Sequence, residues 1–280
     1  MKAIFGPAGS STSFKNQNKL SLCEYLKKFN LTAYEYQCGM GIRISQEKAI
    51  EFGKQMKDIV ISVHAPYYIS LSSVEEEKRK KSVEYILKTA KIAVKMGAKR
   101  VVVHSGSCRN LSREKALTLA TNTLKDVVSA MKTEGLLEDV AICPETMGKV
   151  NQLGDLNEVL KLCKISETFL PCIDFGHLNA RSFGKIKDKS KYLEILDEIE
   201  NQLGYERLKI FHSHFSKIEY TVPGGEKKHL TFEDETFGPD FEPLLELVAK
   251  KNLSPIFICE SSGTQAEDAK KMQDYYESVI

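Results

Sequence analysis

The apolar positions of this chain fall into two alternating rhythms. Short β-branched or apolar runs read as strands at Lys2–Pro7, Ala33–Cys38, Ile59–His64, Arg100–His104, Val140–Glu145, Leu170–Asp174, Leu208–His214 and Pro255–Glu260. Between them apolar residues recur at helical spacing, as in Val83, Ile86, Leu87, Ala90, Ile92, Ala93 and Val94. Asp155 with Glu158 and Thr264 with Glu267 have the form of capping boxes, in which each side chain satisfies a backbone donor of the helix start. The segment 216–239, rich in charge, Gly and Pro, reads as the one long irregular stretch. Strand and helix alternating eight times predict a (β/α)8 TIM barrel, with the whole of 1–280 as a single domain. An open doubly wound sheet is the alternative. No G-x-G-x-x-G or G-x-x-x-x-G-K-[ST] follows any strand, so the usual nucleotide loops of that fold are missing.

Composition narrows the class only a little. No apolar run approaches the ~18 residues of a membrane span, and the N-terminus lacks a signal-peptide core. The seven cysteines are odd in number and form no C-x-x-C pair; Cys143, Cys172 and Cys259 lie in apolar strands, where the thiol packs as a small hydrophobe. These features predict a cytoplasmic protein with no membrane association and imply no protein partner. The net charge of +2 neither requires nor excludes nucleic acid. The run Lys78–Lys81 falls inside a predicted helix and reads as a solvated outer face. Lys15, Arg43, Lys149, Arg181, Lys185 and Lys217 fall in predicted βα loops and are the better candidates for phosphate contact.

The six histidines carry more information. Successive strands end in His64, His104, Glu145, Asp174 with His177 just beyond, His212 and His214, and Glu260; His229 lies in the loop after the seventh strand. In a barrel, strand C-termini converge on one face. Any one such residue is ordinarily a hydrogen-bonded polar group or a helix cap. Several imidazoles and three carboxylates together would repel and lie poorly solvated without a cation. Imidazole and carboxylate without thiolate suit Zn2+, Mn2+ or Fe2+ in a catalytic setting. Nine ligands exceed what one ion uses, which predicts two or three metals and hence phosphate-ester hydrolysis.

The order His64, His104, Glu145, Asp174-x-x-His177, His212, His229, Glu260, with Cys172-Ile173-Asp174-Phe175-Gly176-His177 as its most specific piece, resembles the endonuclease IV family of apurinic/apyrimidinic endonucleases. The resemblance spans essentially the whole chain. It implies a zinc-dependent deoxyribonuclease that binds DNA with abasic sites and cleaves the phosphodiester on their 5′ side, with a metal-bridging hydroxide as nucleophile. By position, His64 and His104 would hold one zinc, which Glu145 bridges to a second completed by Asp174, His212 and Glu260. His177 and His229 would hold a third. Glu145 and Glu260 are then the catalytic carboxylates, Glu260 helping to deprotonate the water, and Tyr67 would lie at the lesion pocket.

Three departures accompany the match. Lys227 stands where the family has an Asp ligand, and Glu226 is one position out of register. His212 and His214 point the same way along one strand; alignment of Lys217 favours His212, the spacing to His229 favours His214, and His212 is preferred. The second βα loop, Gln37-Cys38-Gly39-Met40-Gly41-Ile42-Arg43, lacks the family's Asn/Gln/Arg cluster. These departures suit the alternative, a metal-dependent sugar isomerase or epimerase of the xylose isomerase-like group, in which Glu145 and Glu260 would move a proton beside a carbonyl. A barrel retaining only a remnant site is the non-enzymatic reading.

Overall fold

A computed structural model describes residues 2–15, 20–109 and 111–280. The strands are β1 (Ile4–Pro7), β2 (Ala33–Gln37), β3 (Val60–His64), β4 (Arg100–His104), β5 (Ala141–Glu145), β6 (Cys172–Asp174), β7 (His212–Phe215), β8 (Ile218–Thr221), β9 (Gly225–His229) and β10 (Ile256–Cys259). Eight of them form one sheet in the order β1-β10-β7-β6-β5-β4-β3-β2, and β8 and β9 form a separate hairpin. A parallel bridge between Ala8 and Glu35 joins the two strands that end that order, so the barrel is nearly closed. The (β/α)8 expectation is thus met. No helix of the described residues is long and apolar enough to cross a membrane.

The chain forms two compact units. One contains the N-terminal segment through Glu35, residues 148–150, and everything from Ile173 onward. Its core packs Ala8, Ala33, Ile256 and Ile258 together, with Phe5 stacked on Phe257 at a ring separation of 5.3 Å. The other contains Tyr36–Met147 and Asn151–Cys172. In its interior Val101, Val102 and Val103 of β4 are fully buried, as are Ile86, Ala90 and Ala93 on the inner face of helix Glu76–Met96. A parallel strand buried on both faces must be apolar throughout, which is why β4 shows no alternation.

Helix Leu156–Cys163 starts as predicted: Asp155 accepts from the Glu158 N–H at 2.9 Å while Glu158 returns a bond to the Asp155 N–H at 2.9 Å. Such a cap stabilises a helix by ~1 kcal/mol. Lys78 and Lys80 are exposed and pair with Glu75, Glu76 and Glu77 of the same helix start, the solvated face expected of them. All seven cysteines are free thiols. Burial pushes the Cys38 thiol up to about 11 and holds that of Cys259 well above the usual thiol range, so neither supplies a thiolate nucleophile near neutral pH.

Several expectations are corrected. Thr264 does not cap helix Gln265–Val279 through its side chain; its hydroxyl instead donates to Asp268 at 3.0 Å. The sixth strand loses Leu170 and Pro171, because proline has no N–H for a sheet ladder. The seventh begins at His212, since Leu208 belongs to the short helix Tyr205–Lys209. The stretch 216–239 is not irregular throughout: it contains the β8–β9 hairpin.

Candidate functional site

Within the unit around β3–β5, three strand-terminal side chains meet. β4 and β5 pair with His104 opposite Glu145, and β3 ends beside them at His64. Oε2 of Glu145 lies 3.3 Å from His64 Nε2 and 3.5 Å from His104 Nε2, and the two rings stand 5.0 Å apart, edge to face. His64 Nδ1 contacts the Ala65 carbonyl at 2.7 Å, which calls for a proton on Nδ1, and in the neutral ring Nε2 then keeps its lone pair. For a neutral imidazole that lone pair faces a buried carboxylate oxygen, an arrangement a divalent cation relieves. The donor set therefore fits a metal. Tyr67 roofs the group, stacked on His104 at 5.2 Å and edge-on to His64, with its hydroxyl donating to Gln37 Oε1 at 3.0 Å. Gly39 admits this ring, since a Cβ there would sit 2.4 Å from Tyr67 Cε2. Tyr67 remains half exposed.

The other unit assembles two further groups. Asp174 ends β6 and caps helix Phe175–Arg181, accepting from the His177 N–H at 2.7 Å. The same turn brings His177 Nδ1 to 3.2 Å from Asp174 Oδ2. Asp174, His214 and Glu260 each offer a ligand atom within 4.8 Å of the others, and His214 Nδ1 is 3.5 Å from Glu260 Oε1. His177, Glu226 and His229 form a second such group, with His177 Nε2 3.5 Å from Glu226 Oε2 and the imidazole rings 5.4 Å apart. His229 Nδ1 also meets the Ser216 hydroxyl at 2.8 Å.

Glu226 enters this group through a β-bulge. Along the hairpin Ile218 pairs with His229 and Glu219 with Lys228, but Tyr220 pairs with Glu226, leaving Lys227 as the extra residue. An inserted residue reverses the alternation beyond it. Lys227 and Lys228 consequently share one side, both pairing with Glu219, while Glu226 shares the other with His229. Gly148 presses against this pair: a Cβ there would lie 2.6 Å from Glu226 Cβ and 2.8 Å from His177 Cδ2. The Glu226 N–H donates to the Gly148 carbonyl at 3.1 Å and ties the hairpin there, while Arg181 donates to the carbonyls of Lys149 and Val150 in the segment that carries Gly148. Gly148→Ala is expected to push Glu226 aside and weaken metal binding at this group by about tenfold or more, as displaced ligand supports do. Zinc titration of the purified variant checks this.

His212 is not in either group. It sits one strand repeat deeper than His214, fully buried, with Nε2 3.0 Å from Glu35 Oε2. Of the two, His214 is the one that joins Asp174 and Glu260. Glu35 was missed altogether, because a lone Glu inside the run Ala33–Gln37 reads as an exposed position of an alternating strand. Complete burial works against its charged form, yet the charge of His214 and contacts from His212 and His214 hold it well below the usual carboxylate range. Of the predicted loop cations, Arg181 and Lys217 are engaged, the latter with the Asp234 carbonyl at 2.7 Å and Asp240 at 3.2 Å. Lys15, Arg43, Lys149 and Lys185 are exposed.

Known proteins bear on this arrangement. The chain is 36% identical over 274 residues, 98% of this chain and 97% of the other, to an uncharacterised protein of Methanocaldococcus jannaschii. It is 30% identical over 202 residues to a probable endonuclease 4 of Mycoplasma pneumoniae, a match covering 70% of this chain and 65% of that protein. Among solved structures, a D-tagatose 3-epimerase-like protein superposes with a TM-score of 0.73 at 22% identity, covering 98% of both chains. IolI protein with a bound zinc atom superposes with a TM-score of 0.69 at 16% identity, over 100% of this chain and 99% of that one. These two likenesses are of fold. The sequence pattern of one family matches residues 23–279, nearly the full length, and on that ground the chain belongs to the xylose isomerase-like TIM barrel family.

Proposed function

We propose that this protein is a zinc-dependent endodeoxyribonuclease that hydrolyses the DNA phosphodiester 5′ to abasic sites. The observation that carries the reading is the third ligand group, His177, Glu226 and His229, which a single-metal isomerase does not need. The relative named as a probable endonuclease 4 supports it. His64, His104 and Glu145 would hold one ion, Asp174, His214 and Glu260 a second, and His177, Glu226 and His229 a third. Bound zinc-class ions supply Lewis acidity toward phosphoryl oxygens and bring the pKa of a bound water toward neutrality. Glu260, at the end of β10, is the base that takes the proton of the attacking water. Asp174 orients His177 from its Nδ1 side, turning Nε2 toward Glu226. Tyr67 offers a half-exposed ring on which a nucleoside or sugar can stack. The test is incision of a duplex carrying one abasic site by the zinc-loaded protein; an intact duplex with zinc confirmed bound sinks the reading.

One observation favours a second reading. Between Gln37 and Arg43 the loop at Tyr67 presents Gly39, an exposed Met40 and Gly41, an apolar stretch without a cluster of polar side chains to contact DNA. Epimerisation of a ketose phosphate or free ketose, followed by NMR of the sugar, distinguishes the two.

A further inference from the structure

Glu35 and His212 lie outside all three ligand groups, yet both are completely buried. A charged carboxylate is carried in a barrel interior only against compensating contacts. Here each oxygen faces one imidazole: Oε2 meets His212 Nε2 at 3.0 Å, and Oε1 lies 3.0 Å from His214 Nε2. The second contact is an ion-pair approach. Facing lone pairs at that separation repel, and a proton on each Nε2 removes that repulsion. His214 is then left with Nδ1 as its donor atom, and Nδ1 is the nitrogen that faces Glu260.

The position of the carboxylate is built into the backbone. Glu35 is the middle residue of β2, bridged to Ala8, and its carbonyl accepts from the Gly9 N–H at 2.9 Å. His212 occupies the oxygen that His214 does not use, with the two rings 5.5 Å apart and inclined at 73°. It therefore stops the carboxylate rotating away.

We infer that Glu35 is the positioning residue for the ion of the Asp174, His214 and Glu260 group, and that His212 is the anchor of Glu35 rather than a ligand. This rests on the metal reading above but not on DNA as substrate. The Glu35→Gln change keeps the volume but presents an amide NH2 to one of two proton-bearing imidazoles. Zinc titration of the folded variant against a chromophoric chelator is expected to show one ion weakened about ten- to a hundredfold, the rest retaining wild-type affinity. Wild-type affinity for every ion, or an equal loss of all of them, overturns the inference. If Glu35→Gln does not fold, long-range 1H–15N correlation of the zinc-loaded wild-type histidines decides: Nε2–H at both His212 and His214 is expected, and Nδ1–H at His214 overturns it. A wild type that binds zinc in this way but leaves abasic DNA intact defeats the nuclease reading alone. One that binds no zinc defeats both.

Discussion

Glu145→Ala is expected to abolish incision of abasic DNA, by about 10³-fold or more, the upper end of what loss of one stabilising group costs an active site. Glu145 is the common neighbour of His64 and His104, at 3.3 and 3.5 Å, and is 1% exposed. Without it, two neutral imidazoles remain, too few and uncharged for a tightly held divalent ion. Zinc content should fall by at least one ion per chain. A merely structural role would also lower the Tm of the metal-free protein. The opposite is expected, an unchanged or higher Tm, because a buried anion facing an imidazole lone pair is a cost that the substitution removes. Elemental analysis, thermal denaturation after chelation and the incision assay together separate the cases. Full zinc content with full activity in the variant would refute the assignment.

Glu226→Ala is expected to remove one ion and reduce incision by about 10²-fold or more, again the scale of one lost stabilising group. Lys227→Asp should change neither by more than about twofold, the range of an ordinary surface substitution. The contrast follows from the bulge. Counting along the sequence puts position 227 two residues before His229, where alternation would aim it at the same face. The observed pairing spends one residue on the bulge, so that face receives Glu226 and Lys227 turns to Glu219. An Asp at 227 would meet the Glu219 carboxylate and acquire no metal-facing position. Should Lys227→Asp raise zinc content and Glu226→Ala leave it unchanged, the hairpin register described above is wrong.

The strand ends were legible because a parallel barrel strand is a continuous apolar run that stops abruptly in a polar residue, and His64, His104, Glu145, Asp174 and Glu260 are those stops. His177 followed from Asp174-x-x-His, one turn of the capped helix. Less legible was the hairpin: its strands β8 and β9 are charged and half exposed, so they carry no hydrophobic rhythm. Thr264 had the right neighbours for a capping box, but its backbone departs from the extended conformation that an N-cap adopts.

The sequence by itself determined the class of fold and the residue types at its rim, since both reside in local order: apolar period, strand length and the residue that ends each strand. Tertiary structure decided which of those residues act together. His212 and His214 are equivalent in type and in facing direction, and only Glu35, reached through the pairing of β2 beside β1, sets one as anchor and leaves the other's Nδ1 toward Glu260. Likewise Glu226 and Lys227 exchange roles through one bulge, a cross-strand feature with no mark on either strand alone. Contacts between residues far apart in sequence are set by register and packing, and local propensity does not encode them.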